Sequence, residues 1–198
     1  MPITFRDYRP LAEENEGNIP WMYLDTRGNV TVGIGHLLAV PVDAEALRFI
    51  EQDTGRPAAR EGIRAAHAAV QGASQLAASG AGAFEAVSTV RLTEAGVEAV
   101  FERDFSRIIR RTRALFQSVG GGFDSYPDPA QIAVVDMAFN LGPDGLFRKY
   151  RKFRNNGLAR RDFAVAADEC FRHGISAARN TVTRSLLLEA AGIELRDR

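Results

Sequence analysis

The sequence predicts an α+β fold, mostly helical, with a small N-terminal lobe carrying a β-hairpin and a larger helical lobe. Three observations predict it. Residues 22–34 read as two short strands flanking the turn-forming run Asp25-Thr-Arg-Gly28, the second of them alternating. From Thr93 onward, Val97, Val100, Phe101, Phe105, Ile108 and Ile109 recur at the spacing of a long amphipathic helix. The 198 residues suffice for one domain or a small two-lobed unit, and 45% hydrophobic with 25% charged residues is an ordinary globular balance.

In chain order, Tyr8–Glu16 reads as a short helix, with Asp7 able to cap it and Pro10 tolerable in its first turn; Gly17 and Pro20 end it. Met22–Leu24 and Val30–Ile34 are the hairpin strands. On the second, Val30, Val32 and Ile34 share one face, and Thr31, Gly33 and Gly35 share the other. That small, polar face suits a ligand lying close to the backbone, as a cleft wall. Residues 39–91 form an extended, Ala- and Gly-rich insert with helical stretches at Asp43–Glu51 and Ala58–Val70, and Ala77–Ala83 reads as a flexible loop. Gly120-Gly-Gly122 breaks the long helix. Pro127 and Pro129 introduce another, Ala130–Leu141, which Gly142-Pro143 stops; two more follow around Asp162–His173 and Thr181–Ala191. The chain is thus one domain, 1–198, divided into a hairpin lobe at 8–38, the insert at 39–91 and a helical lobe at 92–198. A cleft between lobes is the expected place for a ligand.

Lys plus Arg and Asp plus Glu number 25 each, so overall charge gives no reason to expect nucleic acid as a partner. Two basic runs stand out: Arg107, Arg110, Arg111 and Arg113, and Arg148, Lys149, Arg151, Lys152 and Arg154. Each reads either as a solvated helix face or as a rim attracting an anionic polymer. The single cysteine, Cys170, excludes an intrachain disulfide and reads as core filler. No apolar run has the length of a membrane span, so stable membrane insertion is not expected. The stretch Met1–Tyr8 lacks the basic and apolar segments of a signal peptide, so synthesis in the cytoplasm is expected. A monomer is expected as well.

The chemistry-bearing residues lie between Glu16 and His36. Glu16 falls where the first helix ends, Asp25 where the turn begins, and Thr31 on the small-residue face of the return strand. Two acids from different elements can then face one groove with a hydroxyl pointing into it. Hydrolysis of a glycosidic bond needs such a pair, one carboxyl group to protonate the leaving oxygen and one to activate water or attack the anomeric carbon. A threonine hydroxyl beside the second acid can hold the water.

This run resembles the signature of phage-type lysozymes and endolysins, glycoside hydrolase family 24. That signature is Glu, eight residues, Asp, five residues, Thr, then Gly-Ile-Gly-His, and here it is met without gaps by Glu16, Asp25, Thr31, Gly33, Gly35 and His36. Val135-Asp-Met-Ala-Phe-Asn-Leu-Gly142 resembles the family's central helix, whose Phe-Asn-x-Gly end lines the substrate cleft. Phe139 and Asn140 carry over from it as sugar contacts. Leu92–Ala99 resembles the entry into the helix linking the lobes. Arg179–Leu188 resembles the Arg-containing C-terminal helix, whose imperfect spacing transfers a substrate-binding role to Arg184 only.

The resemblance implies a lysozyme-like fold with its catalytic lobe at 8–38, and a muramidase cutting the β-1,4 bond between N-acetylmuramic acid and N-acetylglucosamine. Glu16 is then the general acid. Asp25 and Thr31 position and activate water for inversion, and Gly33, Gly35, His36, Phe139, Asn140 and Arg184 bind substrate. No metal and no organic cofactor is required. Glu16 must stay protonated near neutral pH, and Trp21 and Tyr23 are nearby candidates for apolar cover, or plain core residues. From its own setting, His36 reads as a structural hydrogen-bonding residue. Asp136 reads either as an internal hydrogen-bond acceptor or as a sugar contact. The implied partner is bacterial peptidoglycan, met in the periplasm or outside the producing cell, with a delivery system or a cognate inhibitor protein as further partners. Phage lysis and a delivered antibacterial toxin both fit. A non-catalytic wall-binding module and a lytic transglycosylase are the alternatives, and the intact Glu16, Asp25 and Thr31 weigh against both.

Overall fold

The computed structural model describes residues 2–118, 120 and 122–196. Gly121, within the predicted glycine break, lies outside them, as does Met1. The fold is α+β and 64% helical, with one five-stranded antiparallel sheet. The chain divides into two compact units, one comprising Glu16–Asp104 and the other Met1–Asn15 with Phe105–Arg198.

The Glu16–Asp104 unit holds the sheet. Its strands are β1 (Ile19–Leu24), β2 (Val30–Gly33), β3 (His36–Leu37), β4 (Ile50–Glu51) and β5 (Val90–Arg91), in the order β3-β2-β1-β5-β4. The predicted hairpin is β1–β2, with Tyr23 paired to Thr31 and Leu24 to Val30. The alternation expected through Ile34 stops at Gly33. Gly33 (φ 65°) and Gly35 (φ 68°) both take the left-handed conformation that favours glycine, turning the chain into β3. All four residues of β2 are buried, so the Thr31–Gly33 face is no open wall, and only Gly35 beyond it is exposed.

Residues 39–91 belong to this unit's core. The predicted helix over 43–51 is instead a short α2 (Pro41–Glu45) followed by β4, because Leu47 and Phe49 turn inward and the chain pairs with β5. Helix α3 (Arg60–Gly72) buries Ile63, Ala66, His67 and Val70 and packs on β1, β2 and β5. The stretch expected as a flexible loop forms two 3-10 turns, Ser74–Ser79 and Ala81–Phe84. The second is anchored by buried Phe84 and by the Trp21 indole, which donates to the Ala81 carbonyl (3.0 Å).

The other unit is helical. Helix α1 (Phe5–Glu16) begins a turn earlier than predicted, because Asp7 lies inside its first turn and reaches back to Thr4, the residue before the helix. The Thr4 backbone N–H and hydroxyl both donate to the Asp7 carboxylate at 2.7 Å. Pro10 therefore lies beyond the first turn, where it lacks the N–H of one intrahelical bond. Helix α4 (Glu94–Gln117) contributes its residues from Phe105 onward to this unit, and buries the predicted apolar stripe. Helix α5 (Asp128–Leu141) is buried from Ala130 through Ala138 apart from half-buried Ile132, and packs chiefly against α8 (Ala177–Arg196). Between them lie α6 (Pro143–Lys149), a π-turn at Phe153–Gly157, and α7 (Phe163–Asp168), which the Asp162 side chain caps by accepting from the Val165 N–H. The predicted helix over 162–173 thus ends five residues early.

Candidate functional site

Turn geometry fixes Asp25. The β1–β2 connection bends so that the Asp25 N–H donates to the Asn29 carbonyl (2.9 Å) and the Gly28 N–H to the Asp25 carbonyl (3.0 Å). The same bend aims the N–H groups of Arg27 and Asn29 at one carboxylate oxygen, both at 2.8 Å, while the Asn29 side-chain amide donates to the other at 3.1 Å. Burial works to raise the Asp25 pKa. The Asn29 backbone and side-chain donors, the Arg27 N–H and the Arg27 charge outweigh it and hold the carboxyl below its ordinary value. Asp25 is consequently an anion at neutral pH.

Thr31 is buried on β2, and its hydroxyl donates to the Asn29 carbonyl at 3.2 Å. Asn29 therefore ties Asp25 and Thr31 into one turn. Sequence reasoning missed it. Its signal was the placement of an asparagine directly after the turn glycine, where a short amide reaches back to the turn's first residue.

Glu16 ends α1, and its side chain lies over Gly35. A Cβ added at Gly35 would meet the Glu16 Cβ, Cγ and Oε2 at 3.4 Å each. Tyr23 lies on β1, two residues before Asp25. Its phenol is pushed up to about 12, first by burial, then by the negative charges of Glu16 and of Asp25. Tyr23 is 8% exposed and is the direct strand partner of Thr31. Of the two aromatic residues expected near Glu16, Tyr23 is buried, and Trp21 serves the 3-10 turn.

His36 places Nδ1 2.6 Å from the Asp104 carboxylate, with the Arg103 guanidinium 3.4 Å from Nε2. The ring is thus held from both sides, by Asp104 at Nδ1 and by Arg103 at Nε2. Gly33 lies against the Val97 side chain, 3.5 Å from where a Cβ would sit.

Phe139, Asn140 and Arg184 belong to the helical unit. Phe139 is half-buried with its ring 4.9 Å from that of Tyr8, and Asn140 is half-buried near the end of α5. Arg184 is exposed and pairs with Asp168 at 3.1 Å. Arg179, given no role from the sequence, is buried on Asp136. That carboxylate, fully buried on α5, accepts from Arg172 Nη2 (2.6 Å), Arg179 Nη2 (2.8 Å), Thr183 Oγ1 (3.2 Å), Asn15 Nδ2 (3.2 Å) and Tyr8 Oη (3.3 Å). Burial acts to raise its pKa, but Arg179 and Arg172 hold it below the ordinary value. Of the two readings of Asp136, the internal acceptor is the one its surroundings match.

Cys170 is buried, and burial pushes its thiol up, away from nucleophilic use. Among the described residues no group of three or more His, Cys, Asp or Glu is placed to hold a metal ion, and no helix is long and apolar enough to cross a membrane. A groove of about 830 Å³ opens on the 51–90 segment, but neither Glu16, Asp25 nor Thr31 lines it. Among protein-family models and curated proteins, none matches this chain.

Proposed function

We propose that this protein is a lysozyme-like muramidase, hydrolysing the β-1,4 bond between N-acetylmuramic acid and N-acetylglucosamine with inversion. The observation that supports the reading is the placement of two acids at the ends of one small hairpin, with the Glu16 side chain lying over Gly35 just past β2 and Asp25 held by three donors in the β1–β2 turn. Asp25 is kept ionised by its turn.

In this mechanism Glu16 donates its proton to the bridging oxygen as the bond from that oxygen to the anomeric carbon breaks. The positive charge that develops on the sugar is stabilised by the Asp25 anion. Water attacks the anomeric carbon from the opposite face and passes its proton to Asp25, with the Thr31 hydroxyl fixing the water's orientation. An anion fixed by three donors is a weak base but a well-oriented one. Positioning and charge stabilisation are therefore its larger contributions.

The test is digestion of purified peptidoglycan by the wild-type protein and by Glu16→Gln, with mass analysis of the fragments. Reducing-end muropeptides from the wild type alone are the expected result. Anhydro-sugar products would replace this mechanism by a transglycosylase one, and equal activity in both proteins would remove Glu16 from its role. Absence of cleavage with retained binding would leave a wall-binding module.

A further inference from the structure

The neutral overall charge conceals a segregation. The Glu16–Asp104 unit carries seven Arg against twelve Asp and Glu, five negative, and the other unit is five positive. The excess cations concentrate in two stretches without a carboxylate. Residues 105–123 hold four Arg, and residues 145–161 hold seven Arg and Lys. The fold brings these stretches together. Phe116 of α4 packs edge-on against Phe147 of α6 (6.1 Å between ring centres), and Arg154 stacks on the Phe147 ring at 4.2 Å. Arg111 of α4 grips the Asp144 carboxylate of α6 side-on, through Nε and Nη2.

Between α4 and α6 runs a groove of about 380 Å³, with the exposed Arg107, Arg110 and Arg111 on one wall, Pro143 and Asp144 on the other, and Ile108 at its floor. We propose that this groove docks the ionised carboxylates of the peptide stems on the wall polymer, an inference that rests on peptidoglycan being the substrate. The chemistry of the lining selects this partner. Guanidinium forks match carboxylates in bidentate fashion, and the groove already holds one carboxylate, Asp144, in that geometry. Among the described residues no aromatic side chain lines it, so it offers no platform on which nucleic-acid bases can stack. None of the exposed large hydrophobic residues (Leu37, Val40, Val42, Phe171, Leu188 and Leu195) lines it either, so it offers nothing to insert into a bilayer.

The test measures binding separately from cleavage. Sedimentation with intact sacculi, and with sacculi stripped of peptide stems by an amidase, is compared for three proteins: a Glu16→Gln background that leaves the polymer intact, the same with Arg107→Gln and Arg110→Gln, and the same with Asp144→Asn. Thermal melts check that each is folded. The expected result is salt-sensitive binding to intact sacculi, weakened about ten-fold by the double Arg substitution, strengthened by Asp144→Asn, and lost on stripped sacculi. Binding unchanged by stripping or by the Arg substitutions would overturn the proposal, as would no binding to intact sacculi. A preference for phosphatidylglycerol vesicles or duplex DNA over sacculi would overturn it in favour of those polyanions. Wild-type cleavage of the same sacculi is scored independently, so failure of the muramidase reading and failure of the docking groove give different results.

Discussion

Asn29 and Asp25 are joined by three hydrogen bonds, two from the asparagine to separate carboxylate oxygens and one from the aspartate N–H to the asparagine carbonyl. The carboxylate is thereby fixed in direction as well as in charge.

Asn29→Ala keeps the backbone bonds and removes the side-chain donor. The Asp25 pKa should rise toward its ordinary value, and the acid limb of the pH–rate profile on peptidoglycan should move up with it. A rate loss of about ten-fold from misorientation is expected. Because the folded value is depressed, Asp25 contributes stability above its unfolded pKa, and that contribution disappears as pH falls through the folded value. The substitution should shrink this contribution, and urea unfolding across the acid range measures it. An unmoved acid limb would show that Asp25 is not the group it reports.

Tyr23 offers a reading of the carboxylate pair without substrate. Its phenol should titrate near 12 in the wild type, and both Glu16→Gln and Asp25→Asn should lower that value, Glu16→Gln more. Ultraviolet difference titration, with Tyr23→Phe as the subtraction control, follows this one phenol among four tyrosines. If neither substitution moves it, the two acids do not share its surroundings.

At Gly35 a side chain meets a positive φ, and its Cβ would come into van der Waals contact with the Glu16 side chain, 3.4 Å away. Gly35→Ala should cost about 1–2 kcal/mol for the left-handed backbone. The new methyl group would also touch the Glu16 side chain, so a loss of cleavage beyond that explained by the loss of folded protein reads the setting of Glu16. Comparing turnover with the unfolding free energy of the same preparation separates the two effects.

Asp136→Asn keeps the shape but leaves Arg172 and Arg179 buried without their counter-charge. A loss of about 3–5 kcal/mol in chemical denaturation is expected at neutral pH. The gap between wild type and variant should close as pH drops through the depressed Asp136 pKa, since the wild type then loses its own contribution. A loss below about 1 kcal/mol would mean that the two arginines find other partners.

The long-period features were legible in the sequence. The stripe of α4 spans many turns, and the β1–β2 turn announces itself by composition. Strands β4 and β5 have two residues each, too few for any alternation to register, and only pairing across the sheet creates them. The start of α1 was displaced because Asp7, a capping residue by type, lies inside the first turn and reaches back to Thr4 through hydrogen bonds. In the candidate site, Glu16, Asp25 and Thr31 were readable from spacing and resemblance. The network around Asp136 was not, because its donors come from positions as far away in sequence as Tyr8 and Thr183. Arg179 and Arg184 are indistinguishable as letters, yet burial gives one to Asp136 and leaves the other at the surface.

The pairing of β5 with β1 bears on how this protein can be shortened. Residues 39–91 resemble a removable insertion, but β5 occupies the side of β1 opposite the hairpin, with Trp21 facing Arg91 and the Leu92 N–H donating to the Pro20 carbonyl at 2.7 Å. Excising the segment would bare the hydrogen-bonding edge of β1 and turn an interior strand into a template for intermolecular pairing. Minimised versions of this chain should therefore fail first by aggregation, and their solubility depends on keeping Val90 and Arg91 in place.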